Sequence, residues 1–138
     1  MLITNNLRRQ HTEILGLVSE IKEALLENPP AIEQIAKLVP ELAGKISIHL
    51  AMEDNALYPK LLSSGEARIR ETAAEFTSQM GDFKKVFAEY HKKWNSNLKI
   101  KDGLGEFSQK TRLVLAALIQ RIEREEQELY DMADHVVD

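Results

Sequence analysis

The chain has 138 residues, 43% of them apolar and 29% charged, with a net charge of −4 and no cysteine. That length suits one domain with one core, and the missing thiols exclude disulfides, zinc–thiolate and iron–sulfur sites and cysteine nucleophiles. Acids and bases are mixed along the chain, which gives neither the basic stripe expected of a nucleic-acid binder nor a polybasic membrane block. The opening MLITNNLRRQHTEIL lacks the basic region followed by an apolar one that marks a signal peptide. No apolar run approaches the roughly 18 residues of a membrane helix. The expectation is a cytoplasmic protein with one domain over 1–138.

The first segment carries Leu7, His11, Ile14, Val18, Ile21 and Leu25, in steps of four and three. Such spacing lines one face of a helix, and ENPP (27–30) stops it. The second segment repeats the pattern with Ile32, Ile35, Val39, Leu42, Ile46, His49 and Glu53, and SSG (63–65) closes it. Pro40 lies inside that helix and is expected to kink it, because it removes a backbone donor and crowds the preceding turn. The third seam runs Ile69, Thr72, Phe76, Gln79, Phe83, Val86 and Tyr90, before the long break NSNLKIKDGLG (95–105). The fourth runs Phe107, Thr111, Val114, Leu118, Arg121, Glu125 and Leu129. No strand-like alternation appears. Four long helices with mostly short connections predict an all-α fold, an up-down-up-down four-helix bundle. Phe76, Phe83, Phe87, Tyr90 and Trp94 read as core.

A core seam is ordinarily apolar, yet His11, His49, Glu53, Gln79, Arg121 and Glu125 occupy this one. Burying ionisable groups without partners costs several kcal/mol each. Antiparallel packing brings these residues from all four helices to one end of the core. His91 lies too far along the third helix, and His135 falls in the terminal segment; both are set aside. Two imidazoles and two carboxylates suit iron, manganese or zinc. His49 and Glu53, four residues apart, share a helix face. The phrase HLAMEDNALYP (49–59) also returns as RIEREEQELYD (121–131), with Glu53 over Glu125, Asp54 over Glu126, Leu57 over Leu129 and Tyr58 over Tyr130. The one functional mismatch is His49 over Arg121. In EREEQE, Glu123 and Glu126 are expected to face solvent. Tyr58 and Tyr130, one position off the seam, read as packing or supporting groups beside the site.

LRRQHTEI around His11, HLAMEDNALYP and RIEREEQELYD together resemble the hemerythrin-like, HHE cation-binding four-helix bundles, over nearly the whole chain. The resemblance implies a di-iron centre bridged by two carboxylates, in proteins that carry, sense or respond to oxygen, nitric oxide or iron. It matches His11, then His49 and Glu53, then Glu125 to metal ligands. The histidines expected on the third and fourth helices are replaced by Gln79 and Arg121, with Glu75 as a substitute donor one turn before Gln79. A guanidinium cannot ligate a metal. It pairs well with carboxylates, so Arg121 is expected to stand in for a second metal's charge against Glu53 or Glu125.

Three readings follow. The first is a binding or sensing protein with one or two non-haem ions, iron first and manganese or zinc next, and a small diatomic ligand. The second is a metal-free bundle, a protein partner or homodimer, in which Arg121 replaces the metal. The third, an oxygen- or peroxide-activating enzyme, ranks last because nothing defines a substrate pocket.

Overall fold

The computed structural model describes residues 2–136, and nearly all of them are helical. Helix α1 spans Leu2–Leu26 and α2 spans Ile32–Met52. A π-helical turn, Glu53–Leu57, follows α2 directly and leads without a break into α3, Tyr58–Leu62. Helix α4 is Ala67–Lys93. Within the break read as loop lies a short helix, α5, Asn97–Asp102. The Ser96 side chain caps it by accepting from the Lys99 amide, which satisfies one of the orphan donors of a helix start. Helix α6, Leu104–Arg124, runs into a second π-helical turn, Glu125–Leu129, and then α7, Tyr130–Val136. The long helices pack together as a bundle, α1 against α2 and α6, and α4 against α6 and α2. Helical structure continues on both sides of Pro40.

The two π-helical turns coincide with the repeated phrase, and each begins at its glutamate. Proline is not the cause. Pro59 follows the first turn and lacks a donor to give back to the preceding turn, but Asp131 stands in its place after the second. What the turns share is Glu, a second acid, two variable residues, Leu and Tyr. A π-turn inserts one residue into the helix and is found most often at functional sites.

The predicted seams of the first, second and fourth segments are buried almost throughout, Ile32 alone being half-buried. The third is rotated slightly. Val86 is 44% exposed, and Ala73, Met80 and Phe87 are buried instead, so α4 turns its Ala73–Met80–Phe87 line inward and leaves Gln79 at the margin. The core has two apolar parts. One contains Ile14, Ile46, Met80, Leu118 and Ile122; the smaller contains Leu7, Leu57, Phe76, Leu129 and Tyr130. On every long helix the polar seam residue falls between members of the two: His11 between Leu7 and Ile14, Glu53 between Leu50 and Leu57, Gln79 between Phe76 and Met80, and Glu125 between Ile122 and Leu129. Each large apolar side chain buried contributes roughly 1.5–3 kcal/mol. The polar layer therefore sits between two apolar walls that exclude water from it.

Candidate metal centre

His11, His49, Glu53 and Glu125 meet in that layer, each at most 4% exposed. One ligand atom from each lies within 4.8 Å of all the others. His11 Nε2 is 3.1 Å from His49 Nε2 and 2.9 Å from Glu125 Oε1. His49 Nε2 is 3.4 Å from Glu53 Oε2 and 3.6 Å from Glu125 Oε1. The Tyr130 hydroxyl donates to Glu53 Oε2 at 2.7 Å. Its position follows from the second π-turn. At about 100° per residue an α-helix would turn the fifth residue after Glu125 well away from it; with one residue inserted, Tyr130 takes the place of an ordinary fourth neighbour.

The outer ring nitrogens are also held. His49 Nδ1 is 2.8 Å from Gln10 Oε1, and His11 Nδ1 is 3.1 Å from Glu126 Oε2. An acceptor on Nδ1 fixes the tautomer that leaves Nε2 free as a lone-pair donor. Neither partner was anticipated. Glu126, expected to face solvent, is half-buried because its carboxylate turns back to His11. The repeat held a signal, an acid after each seam glutamate. In the other copy, however, Asp54 pairs with Lys84 at 2.6 Å on the outside. Gln10 carried no periodic signal, since it sits beside the seam.

Electrostatically the cluster is frustrated. Burial pushes the Glu53 carboxyl up, and the Glu125 charge adds to it, reaching about 7. Burial works against ionised Glu125 too, but hydrogen bonds from His11 and His49 outweigh it and hold the group down at about 2. Burial alone would lower His49; hydrogen bonds and charge from Glu125 and Glu53 reverse that and push it up to about 9. Burial and the two carboxylates push the Tyr130 and Tyr58 phenols strongly up. Three buried oxygens have no hydrogen-bond partner among the described residues: Glu53 Oε1, Glu125 Oε2 and Tyr58 Oη. Buried acceptors of this kind are rare without a water or an ion beside them.

The other expected residues lie elsewhere. Glu75 is not part of the cluster. Its side chain is 58% exposed and engages Gln79 and Arg124. Gln79 bonds no histidine; its Oε1 accepts from Arg121 at 3.0 Å and Arg124 at 2.5 Å. Arg121 is buried, but among the described residues it forms no ion pair with Glu53 or Glu125. Its guanidinium lies 5.6 Å from the centre of the Phe76 ring, on the Gln79 side. The expected neutralisation of a carboxylate by Arg121 is thus corrected: the neutral amide and the ring draw the guanidinium away. His91 and His135 stand outside the cluster, as expected.

The model of the hemerythrin HHE cation-binding domain matches residues 2–133 of the chain. The chain belongs to that family. No curated protein and no solved structure matches it. The family explains why buried carboxylates are tolerated, since its domains bind cations. Within this hemerythrin-type domain, the buried His–Glu group supplies mixed nitrogen and oxygen donors that fit a metal ion. Among the described residues, no helix is long and apolar enough to cross a membrane.

Proposed function

We propose that the chain is a hemerythrin-like, up-down-up-down four-helix bundle, one domain over 1–138, that holds a single non-haem iron ion on His11, His49, Glu53 and Glu125 and serves to bind or sense oxygen, nitric oxide or the metal itself. The observation that carries the reading is the closeness of the four donors. Metal–ligand bonds of about 2.0–2.2 Å put neighbouring donor atoms about 3.0 Å apart in an octahedron and about 3.4 Å apart in a tetrahedron. Four of the six donor separations, 2.9, 3.1, 3.4 and 3.6 Å, agree with one ion among them, and all six lie within 4.8 Å. The orphaned Glu53 Oε1 and Glu125 Oε2 argue for a cation as well.

One ion is favoured over two. On the far side of the carboxylates no imidazole stands among the described residues, and Arg121 brings a positive charge to that region. Bound iron would supply a redox-active Lewis acid with positions open to a small ligand. The chain's own residues do the rest. Gln10 and Glu126 orient the two rings, and Leu7, Leu57, Phe76 and Leu129 keep bulk water out.

The test is elemental mass spectrometry on untagged protein produced with iron and purified without chelator, with an optical spectrum alongside. One iron per chain is expected. Two per chain, with oxo-bridge absorption, would replace the single-ion reading with the di-iron one. No metal in a well-folded protein would overturn both.

A further inference from the structure

The Tyr130 hydroxyl stands among all four residues of the metal-binding group. Its hydroxyl oxygen lies 2.7 Å from Glu53 Oε2, 3.2 Å from His11 Nε2, 3.4 Å from His49 Nε2 and 3.4 Å from Glu125 Oε1. They belong to the four residues of the metal-binding group. A phenol has one hydrogen to donate. It serves Glu53 and leaves nothing for the oxygen of Glu125, which as a carboxylate only accepts. A residue supporting a ligand from outside ordinarily touches that one ligand, as Gln10 touches His49 and Glu126 touches His11. Tyr130 lies 2.7 to 3.4 Å from all four, as close as the nearer pairs of the four lie to one another. That is the position of a fifth vertex.

From this placement we infer that Tyr130 is itself a ligand, its phenolate oxygen completing a two-histidine, two-glutamate, one-tyrosinate site selective for ferric iron. The inference rests on the single-ion reading above. On coordination the phenol O–H bond breaks, a metal–oxygen bond forms and the proton leaves to solvent; no electron is transferred. Charge supports the assignment. Two carboxylates and one phenolate carry three negatives, which balance a trivalent ion in a site where Arg121 neutralises neither carboxylate. Phenolate is a hard, anionic oxygen donor, so it favours Fe(III) over the softer divalent ions that imidazole accepts.

Local structure gives the reason for the placement. The second π-turn brings the fifth residue after Glu125 to the metal-facing side. The first π-turn makes the same geometry available to Tyr58, but that hydroxyl forms no hydrogen bond with any of the four donors, among the described residues. The two histidines lie on the Tyr130 side, so only one member of the repeated Glu–Tyr pair completes a site.

The test is an optical and resonance Raman comparison of full-length protein loaded with ferric citrate, with iron content measured on every sample. The wild type is expected to show a visible phenolate-to-iron(III) charge-transfer band with enhanced tyrosinate ring modes, which shift when the tyrosines are ring-deuterated. Tyr130→Phe is expected to lose the band, while Tyr58→Phe and Tyr90→Phe keep it. Because these are the three tyrosines of the chain, retention in Tyr58→Phe and Tyr90→Phe assigns the band even if Tyr130→Phe does not fold. Iron bound without the band, or a band lost in Tyr58→Phe, overturns the inference and leaves the iron site standing. No bound iron in the wild type overturns the site and the inference together.

Discussion

The two faces of the Glu53–Glu125 pair have opposite characters. One face has His11, His49 and the Tyr130 hydroxyl, with Gln10 and Glu126 behind the rings. The other has Arg121 and Arg124, which both donate to Gln79 Oε1 beside Phe76, and the Tyr58 hydroxyl, which has no hydrogen-bond partner among the described residues. The first offers lone pairs and the second offers N–H groups. A cation is stabilised by the first alone, so the two faces divide the pair between metal-ligating and hydrogen-bonding chemistry. The largest expected effect is at the binding face. His49→Ala or Glu125→Ala removes the bound ion altogether, whereas Glu75→Ala leaves stoichiometry unchanged. Equilibrium dialysis with elemental analysis reads this directly, and loss of the ion in Glu75→Ala would bring the second face back into the site.

The binding face also sets how the metal-free protein responds to pH. The folded-state values of His49, about 9 against 6.5, and of Glu53, about 7 against 4.5, are raised. Their stabilisation is present below the unfolded values and disappears as pH rises through about 7 and then about 9. Glu125, at about 2 against 4.5, acts in the opposite sense, contributing above 4.5 and losing its contribution as pH falls toward 2. The metal-free protein is therefore expected to lose stability, on the order of a few kcal/mol, as pH rises from roughly 4.5 to 9, first through Glu53 and then through His49. A bound ion takes the place of those protons, so the loaded protein keeps its stability there and affinity weakens toward acid. Thermal melts with and without chelator across this range check both. An unchanged melting temperature of the metal-free protein would mean the cluster does not hold the extra protons.

Smaller effects are expected one step out. Gln10→Ala and Glu126→Gln leave every donor in place but release a ring from its orientation. Such outer partners typically affect metal affinity by about 10–100-fold. Competition with a chromogenic chelator measures this. The same loss in Asp54→Asn, the equivalent position of the other copy, would show the effect to be general charge rather than contact, because Asp54 engages Lys84 on the surface.

Helices and donors were legible because burial imposes periodicity. A histidine or glutamate on an apolar seam stands out, and the repeat of Glu and Tyr drew the eye to both turns. What the repeat did not reveal was the backbone. Nothing in a 3.6-residue period announces an inserted residue, so the seam pattern puts Tyr130 one position aside, whereas the π-turn carries it into the centre. Arg121 was misjudged for another reason. Sequence gives its height on the helix but not which neighbour wins its guanidinium, and an amide accepting from two arginines above a phenyl ring is a contest among side chains. Val86 illustrates the same limit, since a small rotation of α4 leaves it 44% exposed.

That contest gives the mildest prediction. Removing one member of a buried ion pair typically costs 3–5 kcal/mol, because its partner stays buried and charged. Were Arg121 the counter-charge of Glu53 or Glu125, Arg121→Met would destabilise by that amount. The structure points to a smaller loss. Gln79 Oε1 keeps its bond from Arg124, no carboxylate loses a partner, and the methionine side chain retains the packing on Phe76 through a sulfur–aromatic contact. What is given up is one hydrogen bond and one cation–π contact, each on the order of 1 kcal/mol, part of which the apolar replacement restores. Chemical denaturation of metal-free Arg121→Met is expected to differ from the wild type by about 1 kcal/mol or less, with metal stoichiometry unchanged. A loss in the ion-pair range would mean that the guanidinium serves the carboxylates after all, and the two faces of the pair would then be one electrostatic unit.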